Sequence, residues 1–195
     1  MKKVILLLLC SVCIVFNIYS QSKTHELWEN TEIGPVVVYY SLEEALKNPE
    51  KVKGLQIRDK GLEKIPNEIV KLVNLEYLRL HHNRFEKIPD FIFKMNTIKV
   101  LEIGGNKLNV IPEGIGQMTQ LEYLGLKANG LTTLPKSIGN LTNLKHLDLD
   151  FNPLITLPES IKNLTKLESI YFSHAKFSDA EIKRIKQLLP HHFGT

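Results

Sequence analysis

The sequence predicts an α/β solenoid, a right-handed coil with short parallel strands on its concave side and short outer segments on its convex side. The first observation is a column of five prolines, each 23 residues after the last: Pro66, Pro89, Pro112, Pro135 and Pro158. The second is a column of asparagines with the same step: Asn83, Asn106, Asn129 and Asn152. Two apolar columns keep this phase. An internal period of this length indicates stacked structural repeats.

The composition is that of a soluble globular chain. Its 195 residues are 43% hydrophobic and 24% charged, with a formal net charge of +4. The two cysteines, Cys10 and Cys13, both lie near the N-terminus. These counts exclude a disulfide scaffold and a Cys-rich zinc module, and they give no strongly basic stripe for nucleic acid. We therefore expect no nucleic-acid partner, no metal and no cofactor.

The first 20 residues form a predicted secretory signal peptide. Lys2 and Lys3 precede an apolar run, Val4–Phe16, of 13 residues. This run is shorter than the roughly 20 residues that a transmembrane helix needs, and cleavage after Ser20 or Ser22 suits the small residues there. A retained anchor and a lipoprotein are the alternatives. With cleavage, we expect no integral membrane span and a secreted, periplasmic or cell-surface location.

Each repeat has a strand, an asparagine turn and a proline-led outer segment. The clearest copy is residues 121–131, which read L-x-x-L-x-L-x-x-N-x-L. Its leucines are expected to point inward, and Asn129 to bond backbone groups of its own and the adjacent coil. The four asparagines would thus form a ladder in which losing one partner costs about 1–3 kcal/mol. Pro135 prevents a long outer helix.

The repeats divide the chain into four predicted regions. After the signal peptide, residues 21–51 form an N-terminal cap with a strand and a short helix. Residues 52–177 contain five complete repeats and a terminal sixth, and residues 178–195 form a C-terminal cap helix and tail. Capping boxes at 41–44 and 178–181 predict the two helix starts. A cationic membrane-surface helix is the alternative for the C-terminal segment.

Residues 52–177 resemble the leucine-rich repeat superfamily, in its 23-residue class with Leu/Ile-Pro-x-x-Ile. This class is similar to Ras-suppressor-like and plant disease-resistance-like repeats. The lead-in, residues 41–52, resembles the cap of short exported bacterial repeat proteins. The resemblance implies a module that binds other proteins through its concave sheet, and it implies no catalysis.

Four rows of variable residues define the predicted concave face, because strand side chains alternate. The first row is Gly54, Tyr77, Val100, Tyr123, His146 and Ser169. The second row is Gln56, Arg79, Glu102, Gly125, Asp148 and Tyr171. The third row is Arg58, His81, Gly104, Lys127, Asp150 and Ser173. The rim row is Asp59, His82, Gly105, Ala128, Phe151 and His174.

Exposed aromatic and charged residues of these rows are the candidate partner-binding site, since such side chains anchor interfaces. They are Tyr77, Arg79, His81, Glu102, Tyr123, Lys127, His146, Asp148, Asp150, Phe151 and Tyr171. Gly104, Gly105 and Gly125 are expected to leave a low patch between them. The alternative is that the tyrosines only shield the sheet and pack on their neighbours.

Asp148 and Asp150 suggest a remote enzymatic alternative. Their Cβ atoms at i and i+2 are expected about 7 Å apart, near the separation of an inverting glycosidase. An open sheet lacks the apolar pocket that raises a carboxyl pKa, and an ion pair from Lys127 to Asp150 is simpler. His81 and His146 lie three strands apart, about 14 Å, which is too far to share a metal ion.

The sequence thus predicts an exported, non-enzymatic module that recognises a protein ligand through its concave sheet, as a monomer. One alternative is an envelope scaffold or surface adhesin, held by its cap helix or tail. The other is a glycan-acting enzyme using Asp148 and Asp150.

Overall fold

The computed structural model describes residues 36–190 and the backbone of residues 25–28. The predicted signal peptide and the tail after Pro190 lie outside the described residues. Eight strands form one sheet in chain order. They are β1 (His25–Trp28), β2 (Val36–Tyr39), β3 (Gly54–Gln56), β4 (Tyr77–Arg79), β5 (Val100–Glu102), β6 (Tyr123–Gly125), β7 (His146–Asp148) and β8 (Ser169–Tyr171).

The sheet confirms the predicted α/β solenoid. Strands β2 to β8 are parallel, each pairing with the next, and only β1 is antiparallel to its neighbour β2. Six strands are expected from the repeats, one in each. The sheet is longer because Val38 of β2 pairs with Gly54 of β3. The 23-residue period does not reach Val38, so the pattern does not reveal this extension.

The core lies behind the sheet and includes the middle residue of each strand from β3 to β7. Leu55, Leu78, Leu101, Leu124 and Leu147 are all fully buried. The next inward position, after the strand, holds Leu80, Ile103, Leu126 and Leu149, which are also fully buried. All nine residues belong to one cluster of buried hydrophobic side chains, so the stacked coils share one continuous core.

The outer segments are short helical turns, as the proline column predicts. Four are 3₁₀ helices, Asn67–Lys71, Glu113–Gln117, Lys136–Asn140 and Glu159–Asn163, and the second repeat instead has α2, Asp90–Phe93. The prolines of the column stand just before these turns in extended conformation, Pro135 with φ −67° and ψ 156°. Before the first repeat lie α1, Leu42–Ala45, and a 3₁₀ turn, Pro49–Lys51.

The asparagine side chains join successive coils. Asn152 Nδ2 donates to the carbonyls of Leu149 in its own coil (2.9 Å) and Leu126 in the preceding one (3.0 Å). Its Oδ1 accepts from the backbone N–H groups of Asn129 (3.1 Å) and Leu131 (3.2 Å). Asn83, Asn106 and Asn129 likewise bond to their own and the preceding coil. Each amide therefore supplies hydrogen bonds that the turning backbone would otherwise lack.

The rim row has a left-handed backbone in five successive repeats. The φ angles of Asp59, His82, Gly105, Ala128 and Phe151 lie between 52° and 63°. This conformation turns the chain out of each strand and towards the asparagine. It is strained for a residue that carries a Cβ, and most of all for a bulky one. The left-handed turn therefore sets the direction in which the rim side chains point.

The last helix, α3 (Asp179–Leu188), lies against the fifth repeat. Ser178 Oγ accepts from Glu181 N (3.2 Å), and Ile185 is buried. The Glu181 carboxylate accepts from Arg184 Nη2 (2.6 Å) and from the backbone N–H of Leu157 (3.0 Å). The hydrogen bonds from Arg184, with that from Leu157, lower the pKa of Glu181 to about 2. In the described part of the chain, none of the helices is long and apolar enough to cross a membrane.

Candidate functional site on the concave face

The four rows lie on the concave face as expected, with strict register between neighbouring strands. Tyr123 of β6 pairs with His146 of β7, and Asp148 lies between Gly125 and Tyr171. One short strand per coil brings residues 23 positions apart to adjacent places. Side chains that are distant in sequence therefore form continuous rows along the sheet.

Tyr77 is not part of the accessible surface, and the expectation that it is exposed is wrong. Its side chain is 1% exposed and packs with Val36 and Val100. A Cβ at Gly54 would lie 3.3 Å from Val36 Cγ1, so Val36 fills the space over this glycine. The extra strand β2 therefore covers the start of the first row, which the repeat pattern does not indicate.

Arg79, Glu102 and His81 form a compact charged network. Arg79 Nε donates to Glu102 Oε1 (2.9 Å), and His81 Nδ1 lies 3.4 Å from Glu102 Oε2. Arg79 Nη1 also donates to Gln56 Oε1 (3.3 Å). Burial raises the pKa of Glu102, but the hydrogen bond from His81 and the charge of Arg79 outweigh it and leave the pKa below its ordinary value. These three candidates pair with one another within the chain.

An open depression of about 240 Å³ lies beside this network. Gly104, Gly105, Gly125 and Ala128 line its low part, as expected for the glycines. Its other lining residues are Arg58, His81, His82, Glu102, Tyr123, Lys127 and Asp148. Arg58 and His82 are absent from the candidate set. Their places in the third and rim rows are the signal that could have included them.

Tyr123 closes one side of this depression. A Cβ at Gly125 would lie 3.1 Å from Tyr123 Cε1, so the ring leans over the glycine. Its centroid is 6.1 Å from that of His146, whose Nδ1 lies 2.9 Å from Ser169 Oγ. Burial, and then the charges of Glu102 and Asp148, raise the pKa of Tyr123 to about 12. Its phenol is therefore neutral at physiological pH.

Asp148 and Asp150 have different environments. Asp148 Oδ1 accepts from the backbone N–H of Asp150 (3.0 Å), whereas Asp150 Oδ1 accepts from both N and Oγ of Ser173 (2.7 Å each). Burial raises the pKa of Asp148. Burial also acts to raise that of Asp150, but the Ser173 hydrogen bonds and Lys127 outweigh it, so the pKa is lowered.

Exposed aromatic side chains lie on the last two coils. Phe151, 48% exposed, stacks on His174 with 3.8 Å between ring centroids and 23° between planes. Lys127 Nζ lies over the Phe151 ring, 5.0 Å from its centroid. Tyr171 is 54% exposed. The expected ion pair between Lys127 and Asp150 is replaced by this cation–π contact, although the Lys127 charge still lowers the pKa of Asp150.

No group of three or more metal-binding side chains occurs within residues that the structure describes. The side chains described above make the candidate site a polar and aromatic surface. It can contribute carboxylate acceptors, tyrosine rings and hydroxyls, and an ammonium group to a ligand.

Comparisons with known proteins agree with this architecture. A family model for a leucine-rich repeat region matches residues 115–189, and one for leucine rich repeats matches residues 73–131. A search of curated proteins finds no significant match. Among solved structures, a leucine-rich repeat protein of Leptospira interrogans is 37% identical, with a TM-score of 0.70 over 72% of this chain and 36% of that one.

Two further structures are similar. The plant peptide hormone receptor RGFR1, solved in complex with RGF2, is 33% identical with a TM-score of 0.58, over 66% of this chain and 22% of the receptor. An internalin of Listeria monocytogenes, 20% identical with a TM-score of 0.60 over 71% of this chain and 39% of that one, shows the fold alone. The chain thus spans less than two fifths of each of these three proteins.

Proposed function

Because this chain belongs to the leucine-rich repeat family, we propose that it is an exported, non-enzymatic module that binds a protein partner through its concave face. The family's fold supplies an open sheet with variable side chains, and a solenoid of this kind presents an extended surface suited to a protein segment. The similar plant peptide hormone receptor was solved in complex with RGF2, which supports a peptide or protein as the ligand class here.

The observation that carries this proposal is that part of the concave face is open to solvent. The depression and the aromatic side chains of Phe151 and Tyr171 lie open on one face, each ring about half exposed. Large aromatic side chains beside a polar depression are typical anchors of protein interfaces. The other concave candidates, His146 and Lys127 among them, would surround these anchors as the polar part of the contact.

Export is the second part of the proposal. It rests on the charged start, the short apolar run and the small residues at 20 and 22. Fractionation of cells that express the full chain tests it. We expect the protein in the medium, the periplasm or the cell surface, and its retention in the cytosol would contradict export.

Affinity capture tests the binding face. The full chain is compared with the double variant Phe151→Ala/Tyr171→Ala and with a control, Val110→Ala. Val110 is 70% exposed and lies outside the four rows. We expect proteins that the wild type and the control retain and the double variant loses. Recovery of the same proteins by all three baits would reject the concave face as the binding surface.

A further inference from the structure

The second row contains two carboxylates with different cationic surroundings. Glu102 accepts from Arg79 (2.9 Å), and both side chains are about four fifths buried. Asp148, two strands further along, accepts only the backbone N–H of Asp150. Within residues 36–190, no lysine, arginine or histidine nitrogen forms an ion pair with it. Within this row, Glu102 therefore has a cationic partner and Asp148 has none among the described residues.

Aromatic rings flank Asp148 on both sides along the row. Gly125, its neighbour on β6, has no side chain, and the Tyr123 ring leans into that place. Tyr171, its neighbour on β8, is exposed. A cation between two tyrosine faces and a carboxylate gains both cation–π attraction and a charge-assisted hydrogen bond. The surroundings of Asp148 therefore suit a flat cation.

The nearby charges favour this occupant. Burial and the negative charges of Asp150 and Glu102 raise the pKa of Asp148, against the lowering effects of the Asp150 N–H and of Lys127. Lys127 is the nearby cation, and its ammonium lies over the Phe151 ring in the direction of the rim. Asp150 is already bonded twice to Ser173. Asp148 thus remains a carboxylate that an external cation would stabilise.

We infer that Asp148 receives an arginine side chain of the protein partner, held between the rings of Tyr123 and Tyr171. This inference rests on the proposed function, since it names the chemistry of the partner at that face. Arginine suits the place better than lysine, because its planar guanidinium stacks on aromatic rings and forms paired hydrogen bonds to a carboxylate. The internal Arg79–Glu102 pair in the same row shows the same chemistry within the chain.

The test uses a defined probe, the capped peptide acetyl-Gly-Gly-Arg-Gly-Gly-amide, titrated into the ¹⁵N-labelled full chain and followed by NMR. Peptides with citrulline or lysine in place of arginine are titrated in parallel. We expect saturable shifts of the amides of Gly125, Asp148 and Tyr171 with arginine, weaker ones with lysine and none with uncharged citrulline. Equal shifts with citrulline, or no saturable shift with arginine, would overturn the inference.

Asp148→Asn is the matched variant, because the amide oxygen can still accept from Asp150 N while the charge is lost. Its affinity for the arginine peptide is expected to fall about tenfold or more, the size of one lost charged pair. The control Glu86→Gln removes an exposed carboxylate outside the four rows and should bind as the wild type does. Equal affinity of Asp148→Asn and wild type would overturn the inference.

The two proposals fail in different ways. A partner that is lost with Phe151→Ala/Tyr171→Ala but retained by Asp148→Asn would support the concave face as the binding surface. It would reject the inference that Asp148 receives an arginine. Failure to capture any protein in a face-dependent manner would reject the proposed function, whereas the peptide titration would still decide whether Asp148 binds a guanidinium.

Discussion

The two halves of the concave face have the same backbone and different surfaces. On β3 to β5, Tyr77 lies under Val36, and Arg79, Glu102 and His81 bond to one another. On β6 to β8, Tyr171 is exposed and Asp148 has no cationic partner among the described residues. The variable side chains of the first half are buried or bonded to one another, and we propose that those of the second half are available to a ligand.

This difference shows that a row position does not by itself make a binding residue. The repeat places the side chain on the concave face, and its neighbours then decide whether it stays accessible. Arg79 pairs with Glu102 within the chain, whereas Asp148, between Gly125 and Tyr171, has no cationic partner among the described residues. The following predictions break or sharpen this comparison, from the largest effect to the smallest.

Tyr77→Ala is expected to lower the free energy of unfolding by about 3–5 kcal/mol, because it removes a fully buried aromatic side chain. Tyr171→Ala, on β8 where the side chain is exposed, should change it by no more than about 0.5 kcal/mol. Urea unfolding followed by circular dichroism measures both. Equal losses in the two variants would show that the halves do not differ in this way.

Glu102→Gln is expected to lower the free energy of unfolding by about 1–3 kcal/mol at neutral pH, because Arg79 loses its charged acceptor while its side chain remains about four fifths buried. The pKa of Glu102 is lowered in the folded state, so its contribution is present above its ordinary value of 4.5 and is lost as the pH falls through the lowered value. Unfolding at pH 7 and pH 3 should therefore show a smaller difference from wild type at pH 3. A difference that does not depend on pH would contradict the network.

Gly104→Ala and Gly125→Ala test the floor of the depression. A Cβ at Gly104 would lie 2.7 Å from the backbone oxygen of Lys127, and this variant should lose about 1–3 kcal/mol of stability. The atoms nearest to a Cβ at Gly125 belong to the side chains of Tyr123 (3.1 Å) and Glu102 (3.3 Å), which can move, so a loss of about 1 kcal/mol or less is expected. Calorimetry measures both losses, and NMR should show a displaced Tyr123 ring in the second variant. An unmoved ring there would mean that the glycine is not needed for its position.

Asp148→Asn is expected to raise the free energy of unfolding slightly, by no more than about 0.5 kcal/mol at pH 7. The raised pKa means that ionised Asp148 disfavours the folded state above that pKa, and this penalty disappears as the pH falls below its ordinary value of 3.8. The two proteins should therefore have equal melting temperatures at low pH and differ only near neutrality. Reduced stability of Asp148→Asn at pH 7 would show that this carboxylate stabilises the fold, as Glu102 does.

The row pattern predicts most of the candidate site, because one strand per coil leaves no freedom in which residues face the concave side. Arg79, Glu102, Tyr123 and Asp148 all lie where their position in the repeat places them. The pattern fails at Tyr77, because its cover comes from β2, which has no place in the period. It also fails for Lys127, because the repeat does not determine whether the Lys127 ammonium contacts Asp150 or Phe151. That depends on distances across the rim.

The sequence by itself determines the solenoid, the number of its repeats, the inward leucines and the asparagines that join the coils. Each of these follows from a period of 23 residues, because stacking identical units buries a continuous core and repeats the same hydrogen bonds in every coil. Only the tertiary structure decides which concave side chains remain available to a partner. Burial and charge pairing arise between residues of different coils, which the pattern within one repeat does not describe. Glu102 pairs with an arginine of the preceding coil, and Asp148 lies between a glycine of one coil and a tyrosine of another.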